Sequence, residues 1–265
     1  MAYHSEKDSW RAHWTAWLSS AAPFALALAL WWVLSLCGGL SRLLPSPPEV
    51  LAALWTLCRS ADAWRDMAVS LGRGCAGLLL AGLAAFAGGI ACGRHPRFLS
   101  ALSPLILFGQ GCPPVVWISL LLVWCALGHA VPVLVVFISV FPPLFLNVAG
   151  STAALDERYF ELARLYRVPM ASRLKSLVLP GIMPTVAPAV SYSIGIAWKV
   201  TATAEFFGAT DGVGARVHES FRLLELPGLF AWSLLLALMG VLVNVALGRL
   251  RASVGKPREP QEERR

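Results

Sequence analysis

The chain has 265 residues, of which 57% are hydrophobic and only 14% are charged, and its mean hydropathy is clearly positive. Soluble domains do not combine so few charges with so many apolar side chains, so the composition excludes an ordinary soluble enzyme or binding module. The formal net charge of +7 is compatible with a membrane surface or a nucleic acid as partner, and the distribution of the basic residues decides between them.

Charge-free runs long enough to cross a bilayer recur along the chain. A membrane helix needs about 20 apolar residues to cross a hydrocarbon core of roughly 30 Å. The run between Arg97 and Asp156 is long enough for two passes, and Gly128, His129 and Pro132 predict the turn between them. We therefore predict an all-α polytopic membrane protein with six transmembrane helices. The predicted spans are 18–38, 72–93, 100–126, 131–152, 181–204 and 228–248.

Two features inside these spans bear on helix packing. Pro113 and Pro114 predict a kink in the third span. The second span carries a small residue at every fourth position, which lets helix backbones approach closely. This pattern predicts packing against another helix, either within the subunit or across a dimer interface. The small residues are Gly77, Ala81, Ala85, Gly89 and Gly93.

Lys and Arg residues are concentrated in alternate loops. With the N-terminus in the cytoplasm, the inside segments hold fifteen of the twenty-two basic residues. The pattern predicts a membrane protein with both termini cytoplasmic, and it accounts for the net charge without a nucleic-acid partner. The inside segments are 1–17, 94–99, 153–180 and 249–265.

Motifs for catalysis and metal binding are missing from the sequence. The phosphate-binding loop G-x-x-x-x-G-K-[ST], the zinc motif H-E-x-x-H and the nucleophile elbow G-x-S-x-G do not occur. The six cysteines form no C-x-x-C pair and lie mostly in predicted helices, so we interpret them as packing residues. We expect no catalytic residue, no metal and no cofactor, and active transport would need an energy source on another subunit.

The longest predicted inside loop, 156–180, has the pattern of two short helices. Aromatic and apolar residues are interleaved with charges over 159–166, which suits an amphipathic helix at a surface. Pro169 interrupts this pattern, and a second helical stretch covers 170–178. Composition leaves two interpretations open, a docking element for a partner and a basic loop that fixes topology against anionic lipid.

This loop resembles the cytoplasmic signature of bacterial ABC-importer permeases, which is E-A-A, three residues, G, nine residues, I-x-L-P. Glu161 and Ala163 match its first part, and Leu179 with Pro180 match its end. In that family the loop docks into a groove of a separate ATPase subunit. The resemblance implies that ATPase coupling involves Tyr159, Glu161, Ala163, Arg164, Arg167, Leu179 and Pro180.

Other stretches are similar to the permeases of nitrate, taurine and aliphatic sulfonate importers. Residues 44–50 read L-P-S-P-x-x-V, and residues 70–73 read S-L-G-R. The third span has Pro113, Pro114 and Trp117, and the fifth span ends with Trp198, Ala204, Glu205 and Gly208. The resemblance implies a MetI-like fold and a non-catalytic permease. Such permeases work in the lipid bilayer of the bacterial inner membrane as a homodimer, with an ABC ATPase subunit and a periplasmic substrate-binding protein.

Arg167 falls where the family signature has Gly. A glycine takes a left-handed backbone at no steric cost, whereas an Arg in that conformation loses roughly 1 kcal/mol or more. Two explanations stay open at this point. Either Val168 and Pro169 provide another turn geometry, or the loop couples to a specialised ATPase.

Lys199 is the only Lys or Arg that the predicted spans place deep in the bilayer, where a charge is costly and usually functional. One hypothesis is that it lines a translocation path with Glu205, Trp117 and Tyr192 and attracts an anion. The alternatives are that Lys199 extends to the outer surface or simply pairs with Glu205.

These patterns predict the permease subunit of an ATP-driven importer. The leading substrate class is a nitrate-, sulfonate- or taurine-like anion, and an uncharged heteroaromatic vitamin precursor is the other. A self-sufficient secondary transporter or channel is the main alternative, and it would usually show mid-membrane ionisable residues and an internal repeat. The predicted organisation is a cytoplasmic segment 1–17, a first helix with a periplasmic loop 18–63, a permease domain 64–248 containing the coupling loop 156–180, and a cytoplasmic tail 249–265.

Overall fold

The computed structural model of the protein describes residues 22–37 and 43–254. These residues are almost entirely helical, and no β-strand occurs among them, so the all-α prediction is confirmed. The predicted segment 1–17 and most of the predicted tail lie outside the described residues. The helices are α1 (Ala22–Leu36), α2 (Pro47–Arg59), α3 (Ala61–Gly93), α4 (Pro96–Gly111), α5 (Pro114–Cys125), α6 (Ala130–Ala153), α7 (Glu157–Leu165), α8 (Met170–Arg173), α9 (Leu179–Gly208), α10 (Val213–Arg222) and α11 (Leu226–Val254).

Within the described part of the chain, four helices are long and apolar enough to cross a membrane. They are α3, α6, the continuous helix Met170–Gly208 and the segment Leu226–Ala246 of α11. The pair α4 and α5 adds a fifth if it forms one span, and α1 is a shorter apolar helix. Six spans remain a prediction, because the first predicted span, 18–38, extends beyond the described residues at both ends.

The third predicted span, 100–126, is broken rather than kinked. The axes of α4 and α5 differ by 93°. Pro113 and Pro114 lack the N–H groups that would continue α4, and Cys112 is extended, as the residue before a proline prefers to be. The indole Nε1 of Trp117 donates to the carbonyl oxygen of Gly109 at 3.3 Å. Trp117 therefore stabilises the bend between the two helices.

The core lies where α3, α6 and α9 pack against one another. Ala81 and Ala85 of α3 are wholly buried. A Cβ atom added at Gly77 would lie 2.7 Å from the carbonyl oxygen of Val133, so only glycine allows this approach. The small residues of the second predicted span therefore pack within the subunit. The facing surface of α6 is filled by the buried valines 131, 135, 136, 140 and 148.

Helix α3 begins at Ala61, eleven residues before the predicted start at residue 72. The extension packs Ala63 and Met67 against Val213 of α10 and Trp232 of α11 in a second apolar cluster. Residues that the sequence placed in an outside loop therefore continue the long helix and join α10 and α11 at one end of the molecule.

Candidate functional site

The predicted coupling loop folds as two short helices with a defined turn. The carboxylate of Asp156 accepts a hydrogen bond from the backbone N–H of Arg158 at 2.9 Å and caps α7. At the other end, the N–H of Arg167 donates to Arg164 O at 3.0 Å and the N–H of Val168 donates to Ala163 O at 2.9 Å. This pair of bonds is the Schellman termination, which requires one left-handed residue.

Arg167 is that left-handed residue, with φ of +52°. The turn therefore keeps the backbone geometry that the family's glycine favours, and the expectation that Val168 and Pro169 supply a different geometry is wrong. An Arg in this region of the backbone map costs about 1–2 kcal/mol relative to glycine on steric grounds. The conformation is maintained because the Schellman bonds satisfy the last carbonyl groups of α7.

The second half of the loop is continuous with a membrane helix. Helix α8 is followed by a π-helical turn, Leu174–Val178, which leads directly into α9. The guanidinium Nε of Arg173 donates to Val168 O at 2.6 Å and ties this helix back to the turn. No loop therefore interrupts the helical segment from Met170 to Gly208.

Helix α7 sits on the C-terminal end of α3. Arg94, which caps α3, donates to both carboxylate oxygens of Glu157 at 2.9 and 3.0 Å. Its guanidinium carbon lies 3.6 Å from the ring centroid of Phe160, whose side chain is buried. Glu157 also lies 3.7 Å from Arg164. One face of α7 is thereby fixed to the membrane helices.

The opposite face of this helical hairpin is apolar and exposed. Of the predicted coupling residues, Tyr159, Glu161, Arg164, Arg167 and Pro180 are exposed, whereas Ala163 and Leu179 are half-buried. Four apolar side chains on the same element are at least half exposed and were not among the predicted coupling residues. They are Leu162, Leu165, Tyr166 and Met170.

A groove of about 640 Å³ lies between α9 and α11. Its walls are mainly apolar, with Trp198, Phe206 and Leu236 among them, and Lys199 is the charged residue in its lining. Lys199 is exposed in the groove. The opposite face of α9, which includes Ala204, is buried against α3 and α6.

Glu205 does not pair with Lys199. Its carboxylate is wholly buried, and it accepts hydrogen bonds from Arg73 Nη1 at 2.9 Å, Ser70 Oγ at 2.7 Å and the N–H of Gly214 at 3.1 Å. Arg73 is only 4% exposed, whereas Lys199 is exposed, so Arg73 rather than Lys199 is the basic residue inside the described helical bundle. Glu205 therefore lies in an ion pair and is not exposed to the groove.

Arg73 joins four elements at this end of the molecule. Its guanidinium also contacts Asp211 in the loop between α9 and α10, and its Nε donates to His129 Nδ1 at 3.0 Å. Partial burial raises the pKa of the Asp211 carboxyl, but the hydrogen bond and the charge of Arg73 outweigh that effect and leave the pKa below its ordinary value. Nearby, Asp66 pairs with Arg216 at 2.6 Å.

Glycine is required where the α9–α10 loop lies on this network. Gly212 has φ of +98°, and an added Cβ would lie 2.5 Å from the Glu205 carboxylate. A Cβ at Gly214 would lie 2.2 Å from Ala202 O. The sequence contained two signals for this network, the S-L-G-R stretch of residues 70–73 and Glu205. Both resembled the family pattern, but the resemblance did not reveal that Arg73 and Glu205 form an ion pair.

The four residues predicted to line a path are not brought together. Lys199 lies in the groove, Trp117 lies at the α4–α5 bend and Glu205 lies in the ion network. Tyr192 is exposed in a separate cavity of about 340 Å³ beside Asn147 and Pro188. Tyr192 and Lys199 are seven residues apart, so they share one face of α9 two turns apart.

One family of known proteins matches most of this chain. Its description is the binding-protein-dependent transport system inner membrane component, and the match covers residues 77–256. The chain belongs to this family. Its members are permease subunits of ABC transporters, which are transport components rather than catalysts.

Individual relatives extend the match over nearly the whole chain. The taurine transport system permease protein TauC of Escherichia coli (strain K12) is 26% identical over 255 residues, covering 94% of this chain and 93% of its own length. The putative aliphatic sulfonates transport permease protein SsuC of the same strain is 27% identical over 234 residues, covering 87% and 89%. These relatives confirm the resemblance to ABC-importer permeases of the taurine and sulfonate type.

A solved structure shows the same fold. A chain from inward-facing conformations of the MetNI methionine ABC transporter superposes with a TM-score of 0.59, covering 77% of this chain and 99% of that chain at 14% identity. The predicted MetI-like permease fold is therefore confirmed.

Proposed function

We propose that this chain is the membrane-spanning subunit of an ATP-driven importer, coupled to a separate ATPase through residues 156–180. The observation that carries the proposal is the helical hairpin of α7 and α8, which is fixed to the membrane helices on one face and exposes apolar residues on the other. Exposed apolar surface on a charged element is typical of an interaction site. The leading substrate class is a nitrate-, sulfonate- or taurine-like anion.

The hairpin offers two routes for transmitting motion from an ATPase. A push on α7 reaches α3 through the Arg94–Glu157 pair and the Arg94–Phe160 contact. A push on α8 reaches α9 directly, because the helix is continuous from Met170 to Gly208. Since α9 carries Lys199 on its open face, ATPase closure would move one wall of the groove relative to α11.

The proposed assembly contains two copies of this chain, an ABC ATPase subunit at the hairpin and a periplasmic binding protein at the other end. The proposed orientation places both termini in the cytoplasm, as the basic residues indicate. The hairpin and the α9–α10 loop lie at opposite ends of α3, which is long enough at about 50 Å to separate the two aqueous compartments.

Co-purification tests ATPase docking. The chain is expressed with the ATPase of its own operon, and Leu165→Asp, which places a charge in the exposed apolar face of α7, should abolish co-purification. Leu224→Asp is the matched control, because Leu224 is similarly exposed but lies in the turn before α11. The proposal is wrong if the wild-type chain binds no ATPase, or if both variants bind it equally.

A further inference from the structure

Helix α2 carries three lengthwise stripes of residues that differ in character. The first faces the protein, since Val50 is buried and Leu54 and Leu57 pack against the second apolar cluster. The other two are exposed and repeat the same spacing of three and four residues, so each follows one side of the helix. They are an apolar stripe of Pro48, Leu51, Trp55 and Cys58 and a mainly polar stripe of Glu49, Ala52, Thr56 and Arg59.

The apolar stripe distinguishes α2 from a helix whose free surface lies in water. A helix on the surface of a soluble domain has a buried apolar side and a polar side. In α2, the side chains of Leu51 and Trp55 are more than half exposed in addition to the side that faces the protein. A free surface divided into an apolar side and a polar side is typical of helices that lie in the plane of a bilayer surface.

Helix α2 lies where two membrane-spanning helices begin. It ends two residues before α3 begins, and the indole Nε1 of Trp64, in the first turn of α3, donates to Cys58 O at 2.9 Å. Leu57 packs in the cluster that contains Trp232, near the start of α11. Helix α2 is therefore at the level where α3 and α11 enter the bilayer, at the end of α3 opposite the hairpin.

A groove of about 540 Å³ between α3 and α11 leads from α2 into the membrane span. It is lined by Cys58 and Trp64 at one end and by Leu71 and Leu242 further along, and every residue that lines it is hydrophobic. Trp64 and Leu71 are seven residues apart, which corresponds to about 10 Å along the axis of α3. Leu71 and Leu242 are exposed, and exposed apolar side chains of membrane-spanning helices face acyl chains. The apolar stripe of α2 is therefore continuous with a lipid-facing surface.

Arg59 supplies a positive charge at the edge of this surface. Its guanidinium carbon lies 4.9 Å from the ring centroid of Trp55, which is within the range of a cation–π contact. No carboxylate of residues 22–37 or 43–254 forms an ion pair with Arg59. Guanidinium groups bind phosphate through paired N–H bonds, and Trp side chains are enriched at the headgroup level. The phosphate of a phospholipid is the complementary anion at this position.

Lipid fits this surface better than a soluble protein does. A partner confined to the aqueous phase reaches the polar stripe of α2, but the apolar stripe continues into the membrane span along Leu71 and Leu242. An acyl chain covers the stripe and the groove together.

We propose that α2 lies in the membrane surface as a phospholipid-binding helix, with its apolar stripe among the acyl chains and Arg59 on the lipid phosphate. One acyl chain of the bound phospholipid occupies the groove between α3 and α11. Part of the segment predicted to be a periplasmic loop therefore has a lipid partner. This inference goes beyond the proposed function, because it depends neither on the ATPase nor on the transported solute.

Photo-crosslinking tests which side of α2 contacts lipid. The photoreactive residue p-benzoylphenylalanine replaces Leu51 or, as the matched control on the same helix, Thr56, and the full chain is reconstituted in vesicles of phosphatidylethanolamine and phosphatidylglycerol. Because the benzophenone group reacts with C–H bonds that it contacts, the phospholipid adduct, detected by its mass, should be at least about fivefold more abundant at position 51 than at position 56. Equal yields at the two positions overturn the inference.

The same two variants in intact cells separate lipid from a protein partner. A phospholipid adduct at position 51 again supports the inference. If position 51 cross-links instead to the periplasmic binding protein or to a second copy of this chain, the apolar stripe is a protein interface and the inference is wrong.

Arg59→Gln tests the phosphate contact. The fraction of detergent-purified chains that retain a phospholipid, measured by native mass spectrometry, should fall about threefold or more, because the charge-assisted bonds to the phosphate are lost. Arg222→Gln is the matched control, since it makes the same substitution at an exposed arginine of the same end of the molecule and should leave the fraction unchanged. An equal loss of lipid in the two variants, or no loss in either, contradicts the role of Arg59 and overturns the inference.

Discussion

Two arginines, Arg73 in the N-terminal half of α3 and Arg94 at its C-terminal end, each hold a neighbouring element, and they do so in different ways. Arg73 is 4% exposed and is paired with the wholly buried Glu205 and with Asp211. Arg94 is 23% exposed, and its partner Glu157 is 54% exposed. The first pair lies inside the helical bundle, and the second lies at the surface under the helical hairpin.

This difference assigns different mechanical roles to the two ends. Buried charges that are fully hydrogen-bonded hold one arrangement, because separating them leaves each charge without solvent. A partly exposed pair exchanges its partner for water at little cost. The α9–α10 loop is therefore locked onto α3, whereas the α7–α8 hairpin is held on α3 by a weaker, partly exposed pair and is the more movable of the two.

The largest expected effect on stability comes from a substitution that breaks the Arg73–Glu205 ion pair. Arg73→Met leaves Glu205 buried without its counter-ion and should reduce the free energy of unfolding by about 3–5 kcal/mol. Adding Glu205→Gln should recover part of the loss, because the two substitutions remove charges that interact. Unfolding of the detergent-solubilised chain, followed by circular dichroism in increasing dodecyl sulfate, measures both.

Arg94→Met is the matched control at the other end of the same helix. The partly exposed pair with Glu157 and the contact with the Phe160 ring should together contribute no more than about 1–2 kcal/mol to stability. If the two arginine substitutions destabilise the protein equally, the distinction between a locked and a movable end is wrong.

The sequence predicted the helices better than it predicted the contacts between them. Lipid demands long apolar runs, so α3, α6, α9 and α11 were visible in composition alone. The Arg73–Glu205 pair was not visible in the sequence, because its two residues are 132 positions apart. In addition, a charged residue near the end of an apolar run indicates the end of a membrane span as readily as it indicates a buried ion pair. At Cys112 the sequence predicted only a kink, whereas the structure has a break. Prolines predict that the helical hydrogen bonds are interrupted, but they do not predict the angle that neighbouring helices impose.

A smaller effect should come from the packing of α3 on α6. A Cβ added at Gly89 would lie 2.8 Å from the Cβ of Val148 and 3.1 Å from Phe145 O. Gly89→Ala should therefore cost about 1–3 kcal/mol, because the helices must move apart. The same dodecyl sulfate titration measures the change.

Gly72 provides the control for that substitution on the same helix. Nothing lies within 4 Å of a Cβ added there, so Gly72→Ala should stabilise the helix by roughly 0.5–1 kcal/mol through lower backbone entropy of the unfolded chain. Destabilisation of similar size at both positions would show that the α3–α6 contact is not as close as the structure has it.

The smallest expected effect on stability comes from the turn between α7 and α8. It tests whether the left-handed backbone of Arg167 is strained. Arg167→Gly removes the steric cost of a left-handed backbone at an L-residue, but glycine loses more backbone entropy on folding. The net increase in the free energy of unfolding should be about 0.5–1 kcal/mol. The N–H of Val168 donates to Ala163 O only while the turn is closed, so its amide exchange should slow about two- to fivefold in the variant. Arg167→Ala keeps the strained backbone and should leave the rate unchanged. Faster exchange in the glycine variant would mean that the Arg167 side chain stabilises the turn, and the departure from the family's glycine would then be an adaptation of this loop rather than a tolerated cost.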